Sequence, residues 1–118
     1  MNEIIENDNP IRDSIFRMWN AMPDSDKIAW IDQSIFGRIG ERHTREPYLE
    51  NMGSAWSVFM RVAENGTLDY LGGDTFVCVI ERDGIRTEVV ADSPCEVLCL
   101  ASLIAKASSE ALKGVAKA

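Results

Sequence analysis

Arg38, Arg42, His43 and Arg45 place four basic side chains within eight residues of an otherwise acidic chain. A guanidinium donates through a planar fork that matches two oxygens of a phosphate or carboxylate, so this segment is a candidate ligand-binding loop for an anion or nucleotide. The plainer reading is a solvated loop in which Glu41 and Glu46 offset part of the charge. Indole rings offer a second kind of recognition, since they present large contact area at little entropic cost. Trp19 and Trp30 flank the Met22-Pro23 break and are candidate partner contacts, whereas Trp56, beside Ala55, reads as core. Asp24, Asp26 and Asp32 complete the candidate partner-binding set. They belong to an acidic first third in which Glu3, Glu6, Asp8 and Asp13 also stand, against Arg12, Arg17 and Lys27. Such a run is commonly a solvated face, and it also suits a basic partner surface.

Other chemistry-bearing residues fail on spacing. Cys78, Cys95, Cys99 and His43 total four potential zinc ligands, but a structural site normally uses a knuckle in a tight loop. Cys95-x3-Cys99 falls in an apolar helical pattern and Cys78 in a strand pattern, so all three thiols read as core packing. His43 is the only histidine and has no obvious local nucleophile-and-acid pairing, so triad chemistry would need an arrangement assembled only in space. Gly72-Gly73-Asp74-Thr75-Phe76 is superficially similar to the GGDEF signature of cyclic dinucleotide synthases, but those need a longer chain and further acids, and a hairpin turn explains the glycines. No catalytic residue, metal or cofactor is assigned, and the expectation is a protein that is not an enzyme.

The elements that must position these residues follow from periodicity. The chain has 118 residues, the length of one domain, with ordinary hydrophobic and charged fractions of 46% and 26%. Ile11, Ile15, Met18 and Trp19 predict a helix over 10–20, capped by Asn9. Ile28, Ile31, Ile35 and Phe36 predict a second, capped by Asp24 or Ser25 and stopped by Gly37. Ala55, Trp56, Phe59, Met60 and Val62 predict a third, ending at Asn65-Gly66. The period then shortens. Residues 67–71, 75–81 and 85–91 read as three antiparallel strands, with Asp83-Gly84 suited to a two-residue type I′ turn. Phe76, Cys78 and Ile80 alternate with Val77 and Val79, so both sheet faces are apolar and both are expected to be covered. Ser93-Pro94-Cys95-Glu96 is a capping box opening a last helix to about Ser108, with 109–118 a frayed continuation or tail.

The fold class expected is α+β: an α/β/α sandwich with a short antiparallel sheet of three or slightly more strands and helices on both faces. Two stretches, 48–62 and 90–107, resemble the signature helices of the phage ABA-sandwich domain. Ala55-Trp56, Val58-Phe59 and Val62 match the first helix, Ser93-Pro94 through Ile104 the second, and Ile28, Ile31, Ile35 and Gly37 the family's opening helix. The resemblance implies one domain, with 1–23 an N-terminal helical addition, 24–108 the core and 109–118 the tail. It also implies a phage origin, and carries no residue roles.

Charge and length limit function further. Twelve Lys+Arg against 19 Asp+Glu give a net charge of −7, which disfavours nonspecific nucleic-acid binding. No apolar run approaches a membrane span of about 20 residues, and the acids of 1–9 are unlike a secretory leader. A cytoplasmic location in the infected host is expected. The leading expectation is a phage-encoded, non-enzymatic binding protein that antagonises a host defence protein stoichiometrically, in the manner of an anti-CRISPR inhibitor. Alternatives are a sponge for an anionic nucleotide signal and a structural or accessory phage protein; a homo-oligomer is compatible with each.

Overall fold

The computed structural model describes residues 10–37 and 47–117. Among these residues there are four helices, α1 (Pro10–Ala21), α2 (Asp24–Phe36), α3 (Met52–Val62) and α4 (Pro94–Lys117), and three strands, β1 (Asn65–Gly72), β2 (Thr75–Arg82) and β3 (Ile85–Ala91). The fold is α+β, with one antiparallel sheet in the order β1-β2-β3. Both strand connections are tight. Asp83 and Gly84 take φ of 54° and 78°, as a type I′ turn requires of its two central residues. Asn65, Gly66 and Thr67 open β1, paired with Glu81, Ile80 and Val79.

Alternation along β2 sends Cys78 and Ile80 into the core beside Val89 of β3. α4 packs on β2 and β3, α3 runs alongside α4, and α1 and α2 pack against α4. The Phe59 ring of α3 lies over Gly66 of β1, where a Cβ would come within 2.7 Å of it. The described helices thus gather on one side of the sheet. The opposite face shows Thr67, Asp69, Glu81, Arg86, Glu88 and Val90 to solvent around Val77. Among the described residues no helix covers that face, and Val77 and Val79 sit in the central strand, where neighbouring side chains on β1 and β3 screen them.

Helix ends are set by identifiable groups. The Asn9 cap lies outside the described residues. Pro23, not Asp24 or Ser25, occupies the N-cap of α2 and contributes only its carbonyl, which accepts from Asp26 and Lys27 at 3.0 and 3.2 Å. Gly37 closes α2 in the left-handed region, φ 70°. Asn51 caps α3, its Oδ1 accepting from the Ser54 N–H at 3.0 Å, and Arg82 donates to the terminal Val62 carbonyl at 2.7 Å. At α4, Ser93 Oγ accepts from the Glu96 N–H at 3.2 Å. The Glu96 carboxylate points elsewhere, accepting from Trp19 Nε1 at 2.8 Å and lying 3.7 Å from Lys27 Nζ. α4 continues to Lys117, well beyond Ser108, so 109–117 is helix and Ser109 is fully buried. Its extension is anchored on the β2–β3 turn: Ser109 Oγ donates to Asp83, and Lys113 Nζ lies 3.3 Å from the same carboxylate.

Two outcomes test these anchors. Ser93→Ala should lower unfolding free energy by about 1 kcal/mol in denaturant titration, the usual cost of an N-cap serine. The hydrogen bond from Ser109 holds the Asp83 carboxyl below its ordinary value of 3.8, with Lys113 and Arg82 adding to the effect against a smaller opposing contribution from burial. Because the folded pKa is the lower one, this stabilisation is complete above 3.8 and is lost as pH falls through the folded value. Asp83→Asn should therefore flatten the acid limb of the thermal midpoint against pH, leaving other slopes in place.

Candidate functional site

A cleft of about 260 Å³ opens between α1, α2 and α4, lined by Ile15, Trp30, Gln33, Ser34, Leu103, Lys106, Ala107 and Glu110. Helical spacing builds it. Trp30, Gln33 and Ser34 recur at i, i+3 and i+4 on α2, and Leu103, Lys106, Ala107 and Glu110 recur at i, i+3, i+4 and i+7 on α4. Apolar members come from the buried sides of both helices, and polar members form the rim. Lys106 Nζ and Glu110 Oε2 close an ion pair at 2.5 Å, leaving the cleft without a displayed cation or anion at that rim. Among its lining residues there is no thiol, imidazole or hydroxyl-base pair. Such a lining suits recognition of an apolar or amphipathic group.

Two of the three tryptophans, Trp19 and Trp56, exchange their expected roles. Trp19 is fully buried, tilted against Trp30 at 6.3 Å between ring centroids, with Lys27 Nζ 5.0 Å from its own. It is a core residue, because Lys27 and Glu96 meet its ring and its N–H from two other helices. Trp30 is half-buried and contributes to the cleft, so it stays available to a partner. Trp56, expected in the core, is 39% exposed. Ala55, Val58, Phe59 and Val62 define the buried side of α3, and Trp56 lies one step round the helix from them, stacked on Phe59 at 4.8 Å.

The acids separate likewise. Asp24 and Asp26 are exposed in the first turn of α2, Asp24 lying 3.7 Å from Lys27 Nζ. Asp26 stands one helical turn before Trp30 on the same side of α2. Asp32 is corrected from surface acid to core residue: it is fully buried, and Tyr48, itself buried, donates to its Oδ1 at 2.5 Å. Periodicity concealed this, since Asp32 immediately follows the core residue Ile31. Arg38, Arg42, His43 and Arg45 lie outside the described residues. The cleft residues of α4 escaped sequence reasoning because the last helix was expected to end at about Ser108; carried past it, the Lys106-x3-Glu110 spacing is that of an i, i+4 ion pair.

The cysteines are buried packing. Desolvation pushes Cys78 up to about 12 and raises Cys95 and Cys99 as well, which keeps all three as neutral thiols. Cys99 Sγ lies 3.7 Å from the Tyr48 carbonyl and Cys95 Sγ 3.6 Å from Met52 Sδ. Among the described residues, no three His, Cys, Asp or Glu side chains converge as a metal site, and no helix is long and apolar enough to cross a membrane.

No family model, characterised protein or solved structure matches the chain.

The Asp32–Tyr48 bond joins α2 to the turn before α3, and it connects two fully buried polar groups. Tyr48→Phe removes that donor with little change of shape. The variant should lose about 1–3 kcal/mol in chemical denaturation, as for a buried hydrogen bond to a charged or strongly polar acceptor. An unchanged midpoint would show that the bond contributes nothing to stability.

Proposed function

We propose that this chain is a non-enzymatic binding protein that docks a basic protein partner through the α1/α2/α4 cleft. The carrying observation is the cleft itself: Trp30, Ile15 and Leu103 offer an apolar seat, while Asp26 and Asp24 stand exposed on the same helix that bears Trp30. A half-buried indole can bind a partner side chain without much ordering cost, and exposed acids on a chain of net charge −7 steer a basic surface toward it. The resemblance to the phage ABA-sandwich domain gives the proposal its setting, a phage protein that blocks a host defence protein in the host cytoplasm by occupying it. The cleft does not favour the nucleotide-sponge alternative, since its lysine is already paired with Glu110.

Co-expression with bacterial defence systems tests this reading. Phage growth should recover in proportion to the amount of this protein, with the turnover of any host signal undiminished. Asp24→Lys combined with Asp26→Lys should slow association with the captured partner, more steeply at low salt, with the folded circular dichroism spectrum retained although the thermal midpoint falls with the loss of two acids from the first turn of α2. Clearance of a signal by sub-stoichiometric protein would overturn the proposal, because one binding event cannot consume many ligands.

A further inference from the structure

Packing imposes a glycine at position 66. A Cβ there would lie 2.5 Å from the Val79 carbonyl oxygen and 2.7 Å from the Phe59 ring, so any other residue forces the backbone to shift. The residue before it is an asparagine, exposed at the first position of β1, which is an edge strand among the described residues. In an asparagine followed by glycine the carboxamide is open to attack by the next backbone nitrogen, because no Cβ obstructs closure of a five-membered ring.

The sheet leaves that nitrogen available. Arg82 and Ile85 flank a two-residue turn and therefore exchange hydrogen bonds. Alternation along β2 then turns the backbone groups of Glu81 and Val79 toward β1, where they meet Asn65 and Thr67. Gly66 lies between those two, so its N–H points outward from the open edge and its attack breaks no ladder hydrogen bond of its own. Rotation of Asn65 out of the extended conformation disturbs only the first pair of the strand, and strand ends open readily. The other asparagines among the described residues lack this combination. Asn20 lies within α1 before Ala21, and Asn51 precedes Met52 with its Oδ1 held by the Ser54 N–H. At Asp83-Gly84 the side chain is a carboxylate engaged by Ser109 and Lys113.

We propose that Asn65 is a site of spontaneous covalent modification, at which the chain converts its own amide to an acid. The Gly66 nitrogen gives its proton to solvent base and bonds to Asn65 Cγ, the carboxamide nitrogen leaves as ammonia, and a succinimide joins the two residues. Water opens the ring at either carbonyl, leaving aspartate or isoaspartate and one added negative charge. Aspartate sets a carboxylate directly across from Glu81, and like charges opposite one another destabilise a strand pair. Isoaspartate adds a methylene to the backbone, which shifts Gly66 from its seat beneath Phe59. Both products loosen β1.

Neither Asn65 nor Gly66 lines the α1/α2/α4 cleft, so the test does not depend on the function proposed above. The folded chain is incubated at mildly alkaline pH and mapped by peptide mass spectrometry, with an isoaspartate-specific methyltransferase to count that product. The peptide containing Asn65 should gain the mass of an NH2-to-OH exchange while Asn20 and Asn51 remain amides. Asn65→Gln should stay unconverted over the same time, since its ring would have six members and close slowly. Asn65 intact in the folded chain while the denatured chain converts in the same buffer would overturn the proposal, because strand pairing would then protect it. Conversion of Asn20 or Asn51 ahead of Asn65 would overturn it as well. Anion exchange separates the converted chain by its added charge, and hydrogen exchange should then be faster at its β1 amides than in the parent. Equal exchange would refute the loosening of β1.

Discussion

The structure depends on one helix being buried around its circumference. Every residue of α4 from Val97 to Ala105 is buried, with the sheet on one side and the other helices on the remainder. A helix in that position can show no polar stripe, so its one hydroxyl in this span, Ser102, donates back to the Leu98 carbonyl at 2.7 Å. Its size pattern follows from the same constraint. Cys99, Ala101 and Ala105 leave room for neighbouring elements, while Leu98, Leu100, Leu103 and Ile104 fill the gaps between them. Each large side chain withdrawn from water contributes on the order of 1.5–3 kcal/mol.

Hydrophobic burial does not choose the angle at which helices approach α4. Directional polar contacts supply that choice. Glu96 in the first turn of α4 takes a hydrogen bond from Trp19 of α1 and an ion pair from Lys27 of α2, joining three helices at one carboxylate. A carboxylate there also lies at the positive end of the α4 dipole, which adds to its stabilisation. At the far end, Asp83 does the corresponding work from the sheet, receiving Ser109 and Lys113. The central helix is thus fixed near both ends, and the sheet and helical layers are oriented through it.

Local signals in the sequence carried much of this and failed where tertiary packing decides. The strand trio, the Asp83-Gly84 turn and the Ser93 capping box depend on backbone conformations accessible only to certain residues, so residue type alone reveals them. Helix α4 runs beyond its expected end because Ser108-Ser109 looks like a polar stop until Asp83, in the β2–β3 turn 26 positions earlier, binds Ser109. Trp19 and Asp32 were misread for the same reason. A tryptophan beside a proline break and an aspartate on an amphipathic helix look exposed, and their partners Glu96 and Tyr48 lie 77 and 16 residues away. In Trp56 the error was one of phase. Ala55, Val58, Phe59 and Val62 form a complete core side without it, and a strict count of the helical period would have turned the indole outward. The cleft is legible only in three dimensions, since it needs α1, α2 and α4 together.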